Sequence, residues 1–283
     1  MEDAYAIHEG AFGRAIVLET RQSLVAHSHS ESQLALWLGG ARAVARIGSE
    51  VVAYSEDTAL GSNAFELHDM SLLDDGPCVF LLFMVSSEWL EERRKATGRP
   101  FMFLSPRVSI DASLRQVCWR LLDLIITKSG PSQAVDDEVE RLLTAAVGAS
   151  MSSPAVPRPR ALGPALDHRL RAAIKYMREH VSEKITLDEI AAGVGLSRAH
   201  FFTLFRDQLN TTPQVFWSAV RVEEAMRRMV QDEVPVTSLA LDLGFSAPGN
   251  FSRFFKEITG ASPTTFRRAA RLQAPTTLTG QYR

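Results

Sequence analysis

The chain has two cysteines, Cys78 and Cys118, among 283 residues. Two thiols this far apart make neither a zinc cage nor a disulfide framework, and they point to a reduced, cytoplasmic compartment. Neither reads as a nucleophile. Long apolar runs are also missing: the strongest, Cys78 to Val85, is far shorter than the roughly 20 residues a membrane helix needs. The opening Met1-Glu-Asp-Ala lacks the basic and apolar regions of a signal peptide, so a soluble protein with no membrane partner is expected. A strong net charge is absent too, the formal value being −2, but the two ends differ. Residues 1–149 hold 13 Lys and Arg against 21 Asp and Glu, whereas residues 166–283 hold 16 against 12. A basic C-terminal part behind an acidic one suits one half that meets nucleic acid and one that avoids phosphate.

The hydrophobic content of 46% is enough for two cores of ordinary size. Residues 150–165, with Met151-Ser-Ser-Pro-Ala-Val-Pro-Arg-Pro-Arg160 at their centre, resist both helix and sheet and read as a linker. Residues 272–283, with Pro, Thr and Gly and no apolar period, read as a flexible tail. The expected domains are therefore 1–149 and 166–271.

The C-terminal part contains one pattern twice. Ile190, Ala191, Val194, Gly195, Leu196 and Ser197 answer to Leu239, Ala240, Leu243, Gly244, Phe245 and Ser246. After one inserted residue, Phe201, Leu204, Phe205, Pro213 and Phe216 answer to Phe251, Phe254, Phe255, Pro263 and Phe266. Each copy reads as a short helix ended by a glycine turn and followed by a second helix capped by serine, Ser197 or Ser246: a helix-turn-helix. The first unit starts at Thr186 or Asp188 and turns at Gly193 or Gly195; the second starts at Thr237 and turns at Gly244. Spacings of three and four place Arg198, Ala199, Phe202, Thr203 and Arg206 on the outer face of the first recognition helix. Pro248, Gly249, Asn250, Ser252, Arg253 and Lys256 are outward on the second, while His200 reads as a half-buried spacer. Between the units, Pro213 opens a helix with an apolar seam of Val215, Ala219, Val222, Met226 and Met229, a connector able to hold two readers on successive major grooves about 34 Å apart.

This stretch resembles the DNA-binding domain of the AraC family of transcription regulators. The resemblance rests on Leu239-Ala-Leu-Asp-Leu-Gly-Phe-Ser246, Asn250-Phe-Ser-Arg-Phe-Phe-Lys256, Gly260-Ala-Ser-Pro263 and Phe266-Arg267, and it covers a little over a third of the chain. It implies binding to double-stranded DNA through the outer faces just named, and activation rather than repression. RNA polymerase is an expected partner, and Arg221, Arg227 and Arg228 offer it a surface, though ordinary solvated charge is their plainer reading. Ala247, Pro248 and Gly249 stand where the family often has polar residues, so Ser252 and Arg253 must carry more of the reading.

Residues 10–85 are short apolar runs broken by turn residues and read as β, with strands at 14–18, 33–38, 41–47, 51–54, 64–67 and 79–85 and a hairpin turn at Gly39-Gly40. Helices follow at 88–95, 113–127 and 136–147. Two stripes, Leu114, Val117, Leu121, Leu124 and Ile125 against Val139, Leu142, Leu143 and Ala146, can bury each other within one chain or between two. The fold class expected is multidomain: a mainly-β, cupin-like barrel with C-terminal helices, followed by an all-α domain with two helix-turn-helix units joined by a central helix.

The resemblance implies that the N-terminal half binds a small effector and dimerises. His27, His29, Trp37, Phe65 and His68 are the candidate pocket residues. His27-Ser-His29 with Glu31 and Gln33 resembles the start of a cupin's first motif, and three imidazoles can ligate a divalent metal. The plainer reading makes His27 and His29 partly exposed residues at a strand edge, in a barrel without metal. No catalytic residue, metal or cofactor, and no enzyme, is therefore expected. Two other readings stay open. In one, the N-terminal domain only dimerises or binds a protein; in the other, a metal-dependent cupin enzyme is fused to the DNA reader.

Overall fold

Alternation along the strands decides how the N-terminal half is layered. A computed structural model describes residues 3–98, 101–127, 132–151, 167–209, 211–231, 234–259 and 261–273. Its strands, in chain order, are β1 (Asp3–Gly10), β2 (Gly13–Thr20), β3 (Leu24–His27), β4 (Ser32–Gly40), β5 (Ala43–Ile47), β6 (Glu50–Ala53), β7 (Thr58–Ser62), β8 (His68–Leu72), β9 (Cys78–Val85) and β10 (Arg107–Ser109). They form two antiparallel sheets, β1-β2-β9-β4-β7-β10 and β3-β8-β5-β6. In β4, Leu34 and Leu36 face a layer of helices, while Gln33 and Ala35 face the interval between the sheets, as the two-residue period requires. The helical layer is α1 (Ser87–Thr97), α2 (Ala112–Thr127) and α3 (Gln133–Met151). The stripes of α2 and α3 meet each other and the outer face of the larger sheet, with Leu121, Ile125, Val139, Leu142, Leu143 and Ala146 fully buried. The two stripes are thus covered within one chain.

Several local expectations change. Gly39 and Gly40 do not make a hairpin: β4 and β5 lie in different sheets, and the glycines carry the chain across. Gly40 has φ +91°, and a Cβ there would sit 2.1 Å from the Pro77 carbonyl oxygen, which accepts the Ala41 N–H at 2.8 Å. Tight hairpins form instead at β1–β2, where Gly10 pairs with Gly13, and at β5–β6, turning at Gly48 with φ +60°. Residues 64–67 form no strand. The Glu66 side chain accepts the Asn63 N–H at 2.8 Å, and Phe65 has φ 66°, which a ladder does not admit. Ser150 and Met151 belong to α3 rather than to the linker; Ser150 is buried, its hydroxyl accepting the Leu104 N–H. The rest of that linker lies outside the described residues, as does the tail beyond Gln273.

The C-terminal half is helical: α4 (His168–Glu179), α5 (Leu187–Gly193), α6 (Arg198–Leu209), α7 (Pro213–Gln231), α8 (Val236–Asp242), α9 (Pro248–Thr259) and α10 (Pro263–Gln273). Its core is one cluster that includes Phe201, Phe205, Phe216, Phe251, Phe255 and Phe266. The same cluster takes in Ile7, Ile16, Leu18 and Met84 of the larger sheet, and α10 lies along β1 while α9 meets β3. The two halves are therefore joined by buried apolar surface, which contributes about 25 cal/mol per Å² removed from water.

Candidate nucleic-acid interface and interdomain cavity

The two repeats turn with the same local geometry. At the first turn Gly195 has φ +70° and the Leu196 N–H reaches the Ala191 carbonyl at 2.9 Å; at the second, Gly244 has φ +74° and the Phe245 N–H reaches the Ala240 carbonyl at 3.0 Å. A left-handed residue at this point costs glycine little and other residues more. The first unit opens with a full capping box, Thr186 Oγ1 accepting the Glu189 N–H and Glu189 accepting the Thr186 N–H. Such a pair satisfies two orphan donors of the helix start. Ser197 Oγ accepts the His200 N–H at 3.3 Å and caps α6.

The second unit departs from the expected caps. Helix α8 begins after Pro235 with no side-chain cap, so Thr237 lies inside the helix. Ser246 stands two residues before α9, and its hydroxyl takes the Asn250 side-chain amide at 2.9 Å; Pro248, which has no N–H to be capped, opens the helix. A pair of caps not read from sequence precedes the other prolines: Thr212 Oγ1 accepts the Val215 N–H and Ser262 Oγ the Thr265 N–H. The signal was present as Thr-Pro and Ser-Pro at offset 50.

The recognition faces point outward. Arg198, Ala199, Thr203 and Arg206 are exposed and Phe202 half-buried on α6; Gly249, Asn250 and Arg253 are exposed and Pro248, Ser252 and Lys256 half-buried on α9. Arg198 stacks over the Phe202 ring at 5.1 Å and pairs with Asp188. Arg253 lies 4.0 Å from Glu257, a weak exposed pair. His200 is exposed, not half-buried. Of the α7 arginines, Arg221 is tucked over the Trp217 ring at 4.7 Å beneath the Gly244 turn, and Arg227 and Arg228 both hold Glu224.

The same halves enclose a cavity between the two sheets, with about 60 Å³ of free volume. Ile16, Leu18, Leu60, Phe80, Leu82 and Met84 give its apolar walls, and His27, His29, His68, Gln33 and Tyr54 its polar groups. Met226 of α7 and Ile258 and Thr259 of α9 close it. Of the five expected pocket residues, the three histidines line the cavity and the other two do not. Trp37 half-covers another part of the sheet, its indole N–H donating to the Ala41 carbonyl at 3.1 Å. Phe65 stacks on Phe216 at 4.6 Å, under the Arg178 guanidinium; it joins the halves. The histidines are buried, at 4%, 6% and 5% exposure for His27, His29 and His68, and are not strand-edge residues open to water. Burial and the neighbouring His68 lower the His27 pKa to about 3, and burial brings His29 well below its usual value. Burial also pushes the Cys78 thiol up to about 11 and Cys118 up to about 12, so neither is a thiolate at neutral pH.

Directly after His29, Ser30 gives both its N–H and its hydroxyl to the Glu223 carboxylate on α7. Arg14 pairs with Glu31 at 2.5 Å beside it. Burial, and then the Glu31 charge, raises the Glu223 pKa to about 7. Nothing in the sequence joins Ser30 to Glu223, 193 residues apart.

These features define a two-domain protein, a mainly-β half docked on a tandem helix-turn-helix half. The comparisons agree. A family described as a helix-turn-helix domain matches residues 190–269. The raffinose operon transcriptional regulatory protein RafR of Pediococcus pentosaceus is 33% identical over 97 residues, 34% of this chain and 35% of that protein. The arabinose operon regulatory protein of Escherichia coli is 32% identical over 107 residues, 38% and 37% of the two. The chain thus spans about a third of the length of the curated relatives it matches. Among solved structures, ToxT from Vibrio cholerae has the same fold over 95% of this chain and 97% of that one, with TM-score 0.61 and 9% identity. ToxT with an unsaturated fatty acid bound gives 0.57 and 11%, over 97% and 96%. The C-terminal domain is an AraC-type helix-turn-helix domain.

Proposed function

We propose that the chain is a sequence-specific transcription regulator that binds double-stranded DNA. The observation that supports this reading best is the duplicated unit: two helix-turn-helix modules of matching geometry, both with unburied recognition faces, on one rigid helix α7. Such helices enter the major groove with their outer side chains on base edges. Arg198, Ala199, Phe202, Thr203 and Arg206 form the first reading face, and Pro248, Gly249, Asn250, Ser252, Arg253 and Lys256 the second. Arg253 reads a guanine edge, while Arg206 and Lys256 hold phosphates. The effector and dimerisation unit is residues 1–149 and the reader residues 166–271. The protein works in the cytoplasm as a homodimer, activates transcription through contact with RNA polymerase, and catalyses no reaction of its own.

A small effector acts at the interdomain cavity. Its 60 Å³ holds roughly a few waters or a hydrated ion. A larger ligand, such as the fatty acid seen in ToxT, fits only if the wall of Met226, Ile258 and Thr259 moves. Effector binding therefore shifts the balance between docked and undocked readers, and with it the pair of DNA sites a dimer occupies. Selection of genomic fragments from the source organism by the full-length protein tests the reading. Enrichment of a recurrent site about two major-groove turns long supports it, and no enrichment at either low or moderate salt rejects it.

A further inference from the structure

Three imidazoles share the polar part of the cavity, and reading DNA uses none of them. His27 faces His68 across the β3–β8 ladder and His29 follows two residues on, so the register itself gathers them. Ring centroids are 4.6 Å apart for His27 and His68, 4.9 Å for His27 and His29, and 5.3 Å for His29 and His68. One nitrogen of each can be chosen so that all lie within 4.8 Å of one another. Nδ1 of His27 is 2.6 Å from the Val25 carbonyl, and Nδ1 of His68 is 2.8 Å from the Glu66 carbonyl. A carbonyl only accepts, so both Nδ1 atoms carry the proton and both Nε2 atoms present a lone pair. The buried Nδ1 of His29 has no hydrogen-bond partner among the described residues. Glu31, the carboxylate closest in sequence, is held by Arg14.

We propose that His27, His29 and His68 bind one divalent first-row transition cation of the zinc type, with a fourth position open to the cavity. Neutral imidazoles suit such a cation, whereas magnesium and calcium ask for oxygen ligands. The carbonyls behind His27 and His68 are the partners that orient metal-bound histidines. Bonds of about 2.0–2.1 Å require the three nitrogens to draw together by roughly an ångström each. His29 is followed directly by Ser30, the residue that holds Glu223 on α7, so this closure pulls on the anchor of the central helix.

The test uses the full-length chain, stripped with chelator and titrated with Co²⁺, then with Zn²⁺. The expected result is one equivalent per chain, with visible Co²⁺ absorption that Zn²⁺ displaces. Both are lost in the His29→Gln and His68→Gln variants and kept in His168→Ala, whose ring is exposed. Absence of stoichiometric Co²⁺ absorption in the wild-type chain overturns the proposal whether or not the variants fold. Unchanged binding by a folded His29→Gln/His68→Gln double variant overturns it as well. The readout is independent of DNA, so a chain that ignores DNA still decides the metal site.

Discussion

Alanine at the two turn glycines should destabilise the protein unequally. Gly195 and Gly244 have nearly the same left-handed φ, +70° and +74°. An added Cβ at either carries the left-handed penalty of about 1–2 kcal/mol. At Gly195 nothing among the described residues lies within 4 Å of that Cβ, so Gly195→Ala should cost this amount and little more. At Gly244 the Cβ meets Arg221 Nη2 at 3.0 Å. Relieving that contact displaces the guanidinium from the Trp217 face and adds about 0.5–1 kcal/mol, the size of a modest cation–π contact. Urea unfolding of the full-length variants measures both. An Arg221→Ala background should bring Gly244→Ala down to the cost of Gly195→Ala, because the extra part belongs to that pair. Equal costs in the native background, or a larger cost at Gly195, would refute the reasoning.

Replacing Arg253 with Ala should weaken specific DNA binding by about 1–3 kcal/mol and relax one base position, the discrimination of a good bidentate contact; a binding-site selection repeated with the variant checks both. Arg206→Ala and Lys256→Ala should lower affinity for all sequences alike and reduce the slope of log K against log salt by about one each, as lost phosphate contacts do. The Glu223 carboxyl has a raised pKa, about 7 against 4.5, so between these values the unfolded chain ionises while the folded one keeps the proton. Glu223 should thus contribute stability at acid pH that is lost as pH rises through 7, with Arg14, Glu31 and Arg227 as charged neighbours, while buried neutral His27 and His29 act in the opposite sense and lose stability as pH falls below their unfolded value of 6.5. Glu223→Gln should remove that falling contribution, so that stability in thermal unfolding falls less, or rises more, between about pH 5 and 7 than in the native chain, and an unchanged profile would exclude Glu223 as its source.

What the sequence made legible was local. The helix-turn-helix units are written within stretches of about 30 residues: Thr186 starts the first, Gly195 and Gly244 turn, and Phe201, Phe205, Phe251 and Phe255 repeat at helical spacing. The β half depends on pairing between distant segments, and there the reading failed in identifiable ways. Short polar strands such as β8, His-Asp-Met-Ser-Leu, carry no alternation strong enough to find. Gly39-Gly40 has the composition of a hairpin turn and serves as a crossing between sheets. His27 and His29 read as partly exposed because burial of a polar ring is decided by what covers it, and here Met226, Ile258 and Thr259 help to close the cavity from the other half of the chain. The Ser30–Glu223 contact was invisible for the same reason.

Hydroxyl-radical footprinting of the full-length protein on a selected site tests the central claim most directly. Two readers held by α7 on successive major grooves should leave, for each chain, two protected patches about one helical turn, roughly 10 base pairs, apart. Arg253→Ala should lift protection mainly from one patch and Thr203→Ala from the other. A single patch per chain, or one unaffected by either substitution, would contradict the account.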